Sequence, residues 1–271
     1  MKVSIVQTNI HWMAPEANLT EAEKMMDAAP HSDLYILPET WDTGFATHGT
    51  DLSQTQPERT LTWMRQMADR HQAAICGSII TEADPAKHTG KTKKYCNRLF
   101  FVRPDGQTEW YDKRHLFGYG GEKTFFEEGD RRVIVTWKGW RLLLLVCYDL
   151  RFPVWSRYRN DYDGILIVAN WPESRIGAWD ILTKARAIEN QCMVIACNRT
   201  GVSPTETYVG HSAIIGPDGS FIASAVGTQP QCVSADIALH TLREYREKYP
   251  FLADCDCLID TFPDKGRCNG A

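Results

Sequence analysis

Arg141-Leu142-Leu143-Leu144-Leu145-Val146-Cys147-Tyr148-Asp149-Leu150-Arg151-Phe152-Pro153 is wholly apolar from Leu142 to Val146 and then turns abruptly polar. Such a run is a buried strand, and the polar turn with its proline leads into a short helix near Val154 to Tyr158. Upstream, Lys138-Gly139 folds Val133 to Val146 into a hairpin, whereas downstream a buried strand at Ile165 to Ala169, a helix at Ile176 to Asn190 and a strand at Cys192 to Cys197 follow in crossover order. Toward the N-terminus the pattern is β-α-β-α-β. Strands at Val3 to Thr8, Leu34 to Leu37 and Ala73 to Ile80 enclose a helix at Glu16 to Ala29 and another opened by Pro57. Two further hairpins turn at Pro104-Asp105-Gly106, between Tyr95 to Val102 and Gln107 to Tyr111, and at Pro217-Asp218-Gly219. Hairpins mixed with βαβ crossovers predict an α/β fold of two sheets packed face to face with helices outside, a four-layer α-β-β-α sandwich.

The chain has 271 residues, and no Ser/Gly/Pro-rich linker divides it. Residues 1–250 are expected to form one domain, with 251–271 as a C-terminal tail and the helical Leu239 to Lys248 peripheral. Lys and Arg number 30 against 34 Asp and Glu, so the cationic excess that binds phosphate backbones is missing and nucleic acid is not an expected partner. No window approaches the ~20 apolar residues of a membrane span, and the N-terminus reads as a strand rather than a signal peptide. Nine cysteines, mostly in apolar runs, read as reduced thiols of a cytoplasmic protein. Cys255, Cys257 and Cys268 in the tail make a poor zinc site.

The chemistry-bearing residues stand where strands end. Cys147 lies at a strand-to-helix turn, where backbone N–H groups and a helix dipole favour a thiolate and can receive an oxyanion, although a cysteine here also fits as one more small core residue. Glu39 follows the strand Leu34 to Leu37, and Lys113 follows Trp110-Tyr111-Asp112. Each alone reads first as an ordinary surface charge.

Taken together, Pro38-Glu39, Tyr111-Asp112-Lys113-Arg114-His115-Leu116-Phe117 and Cys147-Tyr148-Asp149-Leu150-Arg151-Phe152-Pro153 resemble the three motif blocks of the nitrilase superfamily of carbon–nitrogen hydrolases, in the same chain order. The resemblance covers residues 1 to about 250. Lys113-Arg114-His115-Leu116-Phe117 and Ala169-Asn170-Trp171-Pro172 are most similar to its omega-amidase branch. The absence of a glycine from the strand ahead of Cys147, where many relatives carry one, bears on local packing and not on the triad.

That resemblance implies a Glu39, Lys113, Cys147 triad on a dimerising α-β-β-α fold, with a second glutamate best matched at Glu122 and with Glu127 and Glu128 as rivals. Residue type then suggests roles. Glu39 is the base for the thiol and later for water. Lys113, whose ammonium a neighbouring carboxylate favours, stabilises the oxyanion with the Tyr148 backbone N–H, and Glu122 orients Lys113 or the amide. No cofactor fingerprint or paired-histidine metal motif appears, so neither a cofactor nor a metal is expected. The branch implies a small-molecule substrate, the terminal amide of a dicarboxylic 2-oxo acid. Asn170, Trp171, Arg151 and His115 are candidates to bind it, with Arg186 and Arg199 as further cations.

Other readings use the same residues. Nitrile or N-carbamoyl hydrolysis needs the same triad. A Cys-His peptidase needs a histidine near Cys147, for which His211 is the candidate, and a non-catalytic assembly protein could keep the fold. A homodimer is expected, with Trp155 and Trp179 as possible interface anchors.

Overall fold

The computed structural model describes residues 1–47, 49–84 and 95–254. The tail cysteines therefore lie outside the described residues. Two six-stranded sheets form the centre. The first has the order β14 (Gln231–Asp236), β1 (Lys2–Gln7), β2 (Leu34–Ile36), β3 (Ala74–Glu82), β4 (Tyr95–Val102), β5 (Thr108–Asp112). The second runs β13 (Phe221–Ser224), β12 (Ala213–Ile215), β9 (Met193–Asn198), β8 (Gly164–Ala169), β7 (Trp140–Val146), β6 (Ile134–Trp137). Each sheet holds three parallel strands, β1-β2-β3 and β7-β8-β9, flanked by antiparallel neighbours in the same pattern.

The sheets pack on each other because their inward faces are apolar. Val3, Ile5, Ile36, Leu99 and Phe101 meet Leu142, Leu144, Val168 and Ile195 in one buried cluster. The outward face of the first sheet is covered by helices Pro15–Ala28 and Pro57–His71, through Leu19, Met26, Met64 and Ala68. Helix Ile176–Glu189 covers the second sheet through Trp179 and Ala187. The expected α-β-β-α layering is therefore present. No helix among the described residues is long and apolar enough to cross a membrane.

Three features depart from the sequence expectations. Helix Leu239–Lys248 is not peripheral, since Leu242 is buried in the inter-sheet core and Arg246 donates to the carbonyls of Gln191 and Tyr162. A two-stranded ribbon of β10 (Thr200–Val202) and β11 (Thr207–Val209), and the edge strand β14, were not expected from sequence. Trp179 is core, with 1% exposure, and so is not free to anchor a partner, whereas Trp155 is partly buried and its indole donates to the Tyr111 hydroxyl. Their indoles find apolar neighbours and an acceptor inside the chain.

Candidate active site

The C-terminal ends of β2, β5, β7 and β8 deliver Glu39, Lys113, Cys147 and Asn170 to one place, the end of an α/β sheet where ligands commonly bind. Two of the turns are strained. Thr40 and Cys147 take φ values of 39° and 46°, left-handed conformations costing non-glycine residues about 1–2 kcal/mol. The Glu39 turn is pinned by the Thr40 N–H, which donates to Ser78 Oγ at 2.9 Å. At Cys147 the pin is Asp149, whose carboxylate folds back to accept the Val146 N–H at 3.0 Å.

Asp149 does more than hold its own turn. The same buried carboxylate accepts the Tyr111 hydroxyl at 2.8 Å and the His115 N–H at 2.9 Å, and joins His115 Nδ1 at 2.7 Å. Tyr111 and His115 flank Lys113 in sequence, so Asp149 locks the cysteine turn to the lysine loop. Burial and the neighbouring Asp149 charge push the Tyr111 phenol well above its ordinary pKa, which keeps it a donor.

Lys113, Glu39 and Glu122 are buried together. Lys113 Nζ donates to Glu39 Oε1 at 2.9 Å and to Glu122 Oε1 at 3.0 Å. Asn97 Nδ2 donates to the same Glu39 oxygen at 2.7 Å, and the Asn170 backbone N–H donates to Glu39 Oε2 at 2.7 Å. Burial works against the Lys113 ammonium, but Glu122 and Glu39 outweigh it and hold its pKa above the ordinary value. Glu122 is raised, because burial exceeds the pull of Lys113 and the Glu39 charge adds to it. Cys147 is pushed well above its ordinary value by burial and by the Glu39 charge, against an opposing contribution from Lys113. Sequence reasoning expected this turn to favour a thiolate. Desolvation and a facing carboxylate instead outweigh the ammonium and push the thiol toward its protonated form.

Above this floor lies a cavity of about 650 Å³ walled by Phe45, Phe117, Tyr148, Trp171, Arg151 and Arg175. Cys147, Glu39 and Lys113 all reach it. A neutral thiol, a carboxylate that can receive its proton and an ammonium beside them can carry out nucleophilic attack on a carbonyl and stabilise the resulting oxyanion.

The structure sorts the remaining candidates. Glu122, rather than Glu127 or the exposed Glu128, meets Lys113. Asn170 lines the cavity, yet its backbone N–H and its amide, which donates to Glu39 O and Thr40 Oγ1, are committed to the Glu39 turn. Arg151 lies over the Trp171 ring at 5.0 Å, and both line the cavity. His115 does not line it, because the Asp149 contact turns the ring inward against Phe152, 3.8 Å away. Arg186 braces Leu150 O and Glu189, and buried Arg199 donates to Ile10 O and Thr200 O. Neither reaches the cavity. His211 pairs with Asp180 away from it, leaving the peptidase reading without its histidine.

Sequence reasoning missed Asn97, the bracing role of Asp149 and the cavity residue Arg175. An asparagine inside the apolar strand β4 was a usable signal, because a buried amide requires partners.

A family model described as carbon–nitrogen hydrolase matches residues 2–247. The omega-amidase YafV of Escherichia coli (strain K12) is 41% identical over 257 residues, covering 94% of this chain and 97% of its own. The 2-oxoglutaramate amidase of Bacillus subtilis (strain 168) is 33% identical, covering 93% of this chain and 96% of its own. Among solved structures, XC1258 from Xanthomonas campestris, a CN-hydrolase superfamily protein with an arsenic adduct in its active site, superposes with a TM-score of 0.88 at 38% identity. The match covers 96% of this chain and 98% of that one.

Proposed function

The chain belongs to the carbon–nitrogen hydrolase family, and on that premise we propose that it is an omega-amidase, hydrolysing the terminal amide of small dicarboxylic acid monoamides such as 2-oxoglutaramate and 2-oxosuccinamate to the diacid and ammonia. One observation carries the mechanism: buried Lys113 lies within hydrogen-bonding distance of two buried carboxylates, beside a thiol that opens to the cavity. A scaffold protein gains nothing from burying three such charges, whose desolvation costs several kcal/mol per ion.

The steps follow from the charges. Cys147 Sγ attacks the amide carbon as its proton passes to Glu39. The carbonyl oxygen, now an oxyanion, is received by Lys113 Nζ and the Tyr148 backbone N–H. Glu39 returns the proton to the amide nitrogen, the C–N bond breaks, and ammonia leaves a thioester on Cys147. Glu39 then takes a proton from water, the hydroxide oxygen adds to the thioester carbon, and the acid leaves as the thiol is restored. Glu122 holds Lys113 in place. Trp171 and Arg151 form the substrate wall, where the Arg151 guanidinium meets the remote carboxylate.

We further propose that the enzyme is a homodimer of a reducing compartment such as the cytoplasm, in keeping with its six free cysteines among the described residues. The function is tested by ammonia release from 2-oxoglutaramate, succinamate, butyramide, butyronitrile and N-carbamoyl-β-alanine. The carboxylated amides should exceed all others in kcat/KM by about 10-fold or more. Equal rates for succinamate and butyramide would refute the omega-amidase assignment, and faster nitrile or N-carbamoyl turnover would move the enzyme to another branch of the family.

A further inference from the structure

We infer that Arg175 is a second, specificity-determining cation of the cavity, and that Glu206 is a built-in carboxylate which the remote carboxylate of the substrate displaces from it. The inference rests on the omega-amidase reading above and adds to it a residue and an exchange of partners.

Arg175 ends the turn Glu173–Arg175 that follows Trp171. Its backbone is fixed, because its carbonyl accepts the Trp171 indole N–H at 2.8 Å. Arg151 lies over that same indole, so the two guanidinium-bearing residues are anchored on one tryptophan. The Arg175 side chain extends over the Phe117 ring at 5.5 Å, and its Nη2 donates to Glu206 Oε1 at 3.0 Å. Nη1 donates to Ser174 Oγ at 3.3 Å.

Both members of this pair line the cavity, and their side chains remain 31% and 29% exposed. A single hydrogen bond joins guanidinium to carboxylate, whereas the guanidinium fork can give two parallel bonds to one carboxylate. Screened by water, joined to Arg175 by that one bond and met on its other oxygen only by a long 3.4 Å bond from Ser174 Oγ, the Glu206 carboxylate is open to replacement. Glu206 sits at the end of the turn between β10 and β11, where Ser203 N–H donates to Glu206 O at 2.8 Å. The backbone of the turn is therefore held independently of the side chain, and the carboxylate can leave Arg175 by side-chain rotation alone.

The consequence is selective. In the empty cavity Glu206 neutralises Arg175, so a neutral amide meets no unmet charge there and gains nothing from it. A substrate bearing a carboxylate can claim the guanidinium bidentately and release Glu206 to water. Discrimination by a displaced internal anion differs from that by an open cation because it predicts opposite effects for the two variants.

The test compares steady-state kinetics on succinamate and on butyramide, which has the same carbon chain without the carboxylate. Arg175→Met should raise KM for succinamate by about 10- to 100-fold with little change in kcat and little change for butyramide, and Arg175→Lys should recover part of the loss. Glu206→Gln should lower KM for succinamate several-fold, again without effect on butyramide. Circular dichroism and thermal melts establish that each variant is folded. If either variant impairs both substrates alike, the pair only staples the ribbon to the wall and the inference is overturned. It is also overturned if the wild-type preference for succinamate persists unchanged in both variants. Absence of that preference in the wild-type enzyme would instead remove the omega-amidase reading, and this inference with it.

Discussion

At the scale of single residues, the Cys147 thiol is pushed toward its protonated form. Burial and the facing Glu39 carboxylate raise the thiol well above its ordinary value, so reactivity has to come from proton transfer during attack rather than from a standing thiolate. This makes Glu39→Gln a sharp experiment. Removing the negative charge lowers the thiol pKa, and a cysteine governed by pKa alone would then react faster with iodoacetamide. A base-assisted cysteine should react more slowly, and kcat should fall by about 10²-fold or more. Peptide mapping should find wild-type labelling at Cys147 ahead of the buried Cys76, Cys96, Cys192 and Cys197. Faster labelling in Glu39→Gln would count against Glu39 as the base. Cys147, Glu39 and Lys113 could be picked out of the sequence because their three blocks together resemble those of a known family, while the strand end that each follows would alone fit a core thiol or a surface charge. The raised thiol pKa could not, since it depends on a carboxylate 108 positions away that only the packing of two sheets brings near.

At the scale of elements, the turn after β2 is tied to the outer helix layer by Asp42. Its carboxylate accepts the Thr60 hydroxyl at 2.8 Å from helix Pro57–His71, while Asn18 Nδ2 of helix Pro15–Ala28 donates to the Asp42 carbonyl at 2.7 Å. Desolvation raises the Asp42 carboxyl from 3.8 to about 6. With the folded pKa above the unfolded one, the folded state binds the proton more tightly, and stability falls as pH rises from about 4 to 6 and stays lower above that. The shift corresponds to at most ~3 kcal/mol. Asp42→Asn removes this charge, so the melting temperature of the variant relative to wild type should climb by several degrees between pH 4 and pH 7.5. A difference independent of pH would show that the carboxyl does not titrate in this window. Elements with long apolar runs or turn residues could be read from sequence, as β7 and the Pro104-Asp105-Gly106 hairpin illustrate, with Gly106 at φ 82°. The ribbon β10–β11 and the edge strand β14 could not. Thr200–Val202 and Thr207–Val209 are three residues each, and Gln231–Asp236 shows only one fully buried position, so none carries a periodic signal.

At the scale of the whole molecule, the proposed dimer has a surface to use besides the tryptophans. Ile181 and Ile188 stand 69% and 53% exposed on the outer face of helix Ile176–Glu189. Beside them Lys184 lies over the exposed Phe221. We propose that two copies associate through this apolar face, and a two-fold pairing would cover it on both. Light scattering at micromolar concentration should give about twice the chain mass of 30.8 kDa, and Ile181→Glu with Ile188→Glu should reduce it to the single-chain value. A wild-type mass of one chain would dispose of the dimer. The pairing of β1 with β14 has a bearing on how the molecule comes into being. Lys2 lies opposite Asp236, and the N-terminal ammonium donates to Ile237 O. Because Lys2 and Asp236 are 234 positions apart in sequence, one edge of β1 stays unpaired until β14 has been made. A growing chain carries that open sheet edge through all the intervening synthesis, and the strand that closes it is β14.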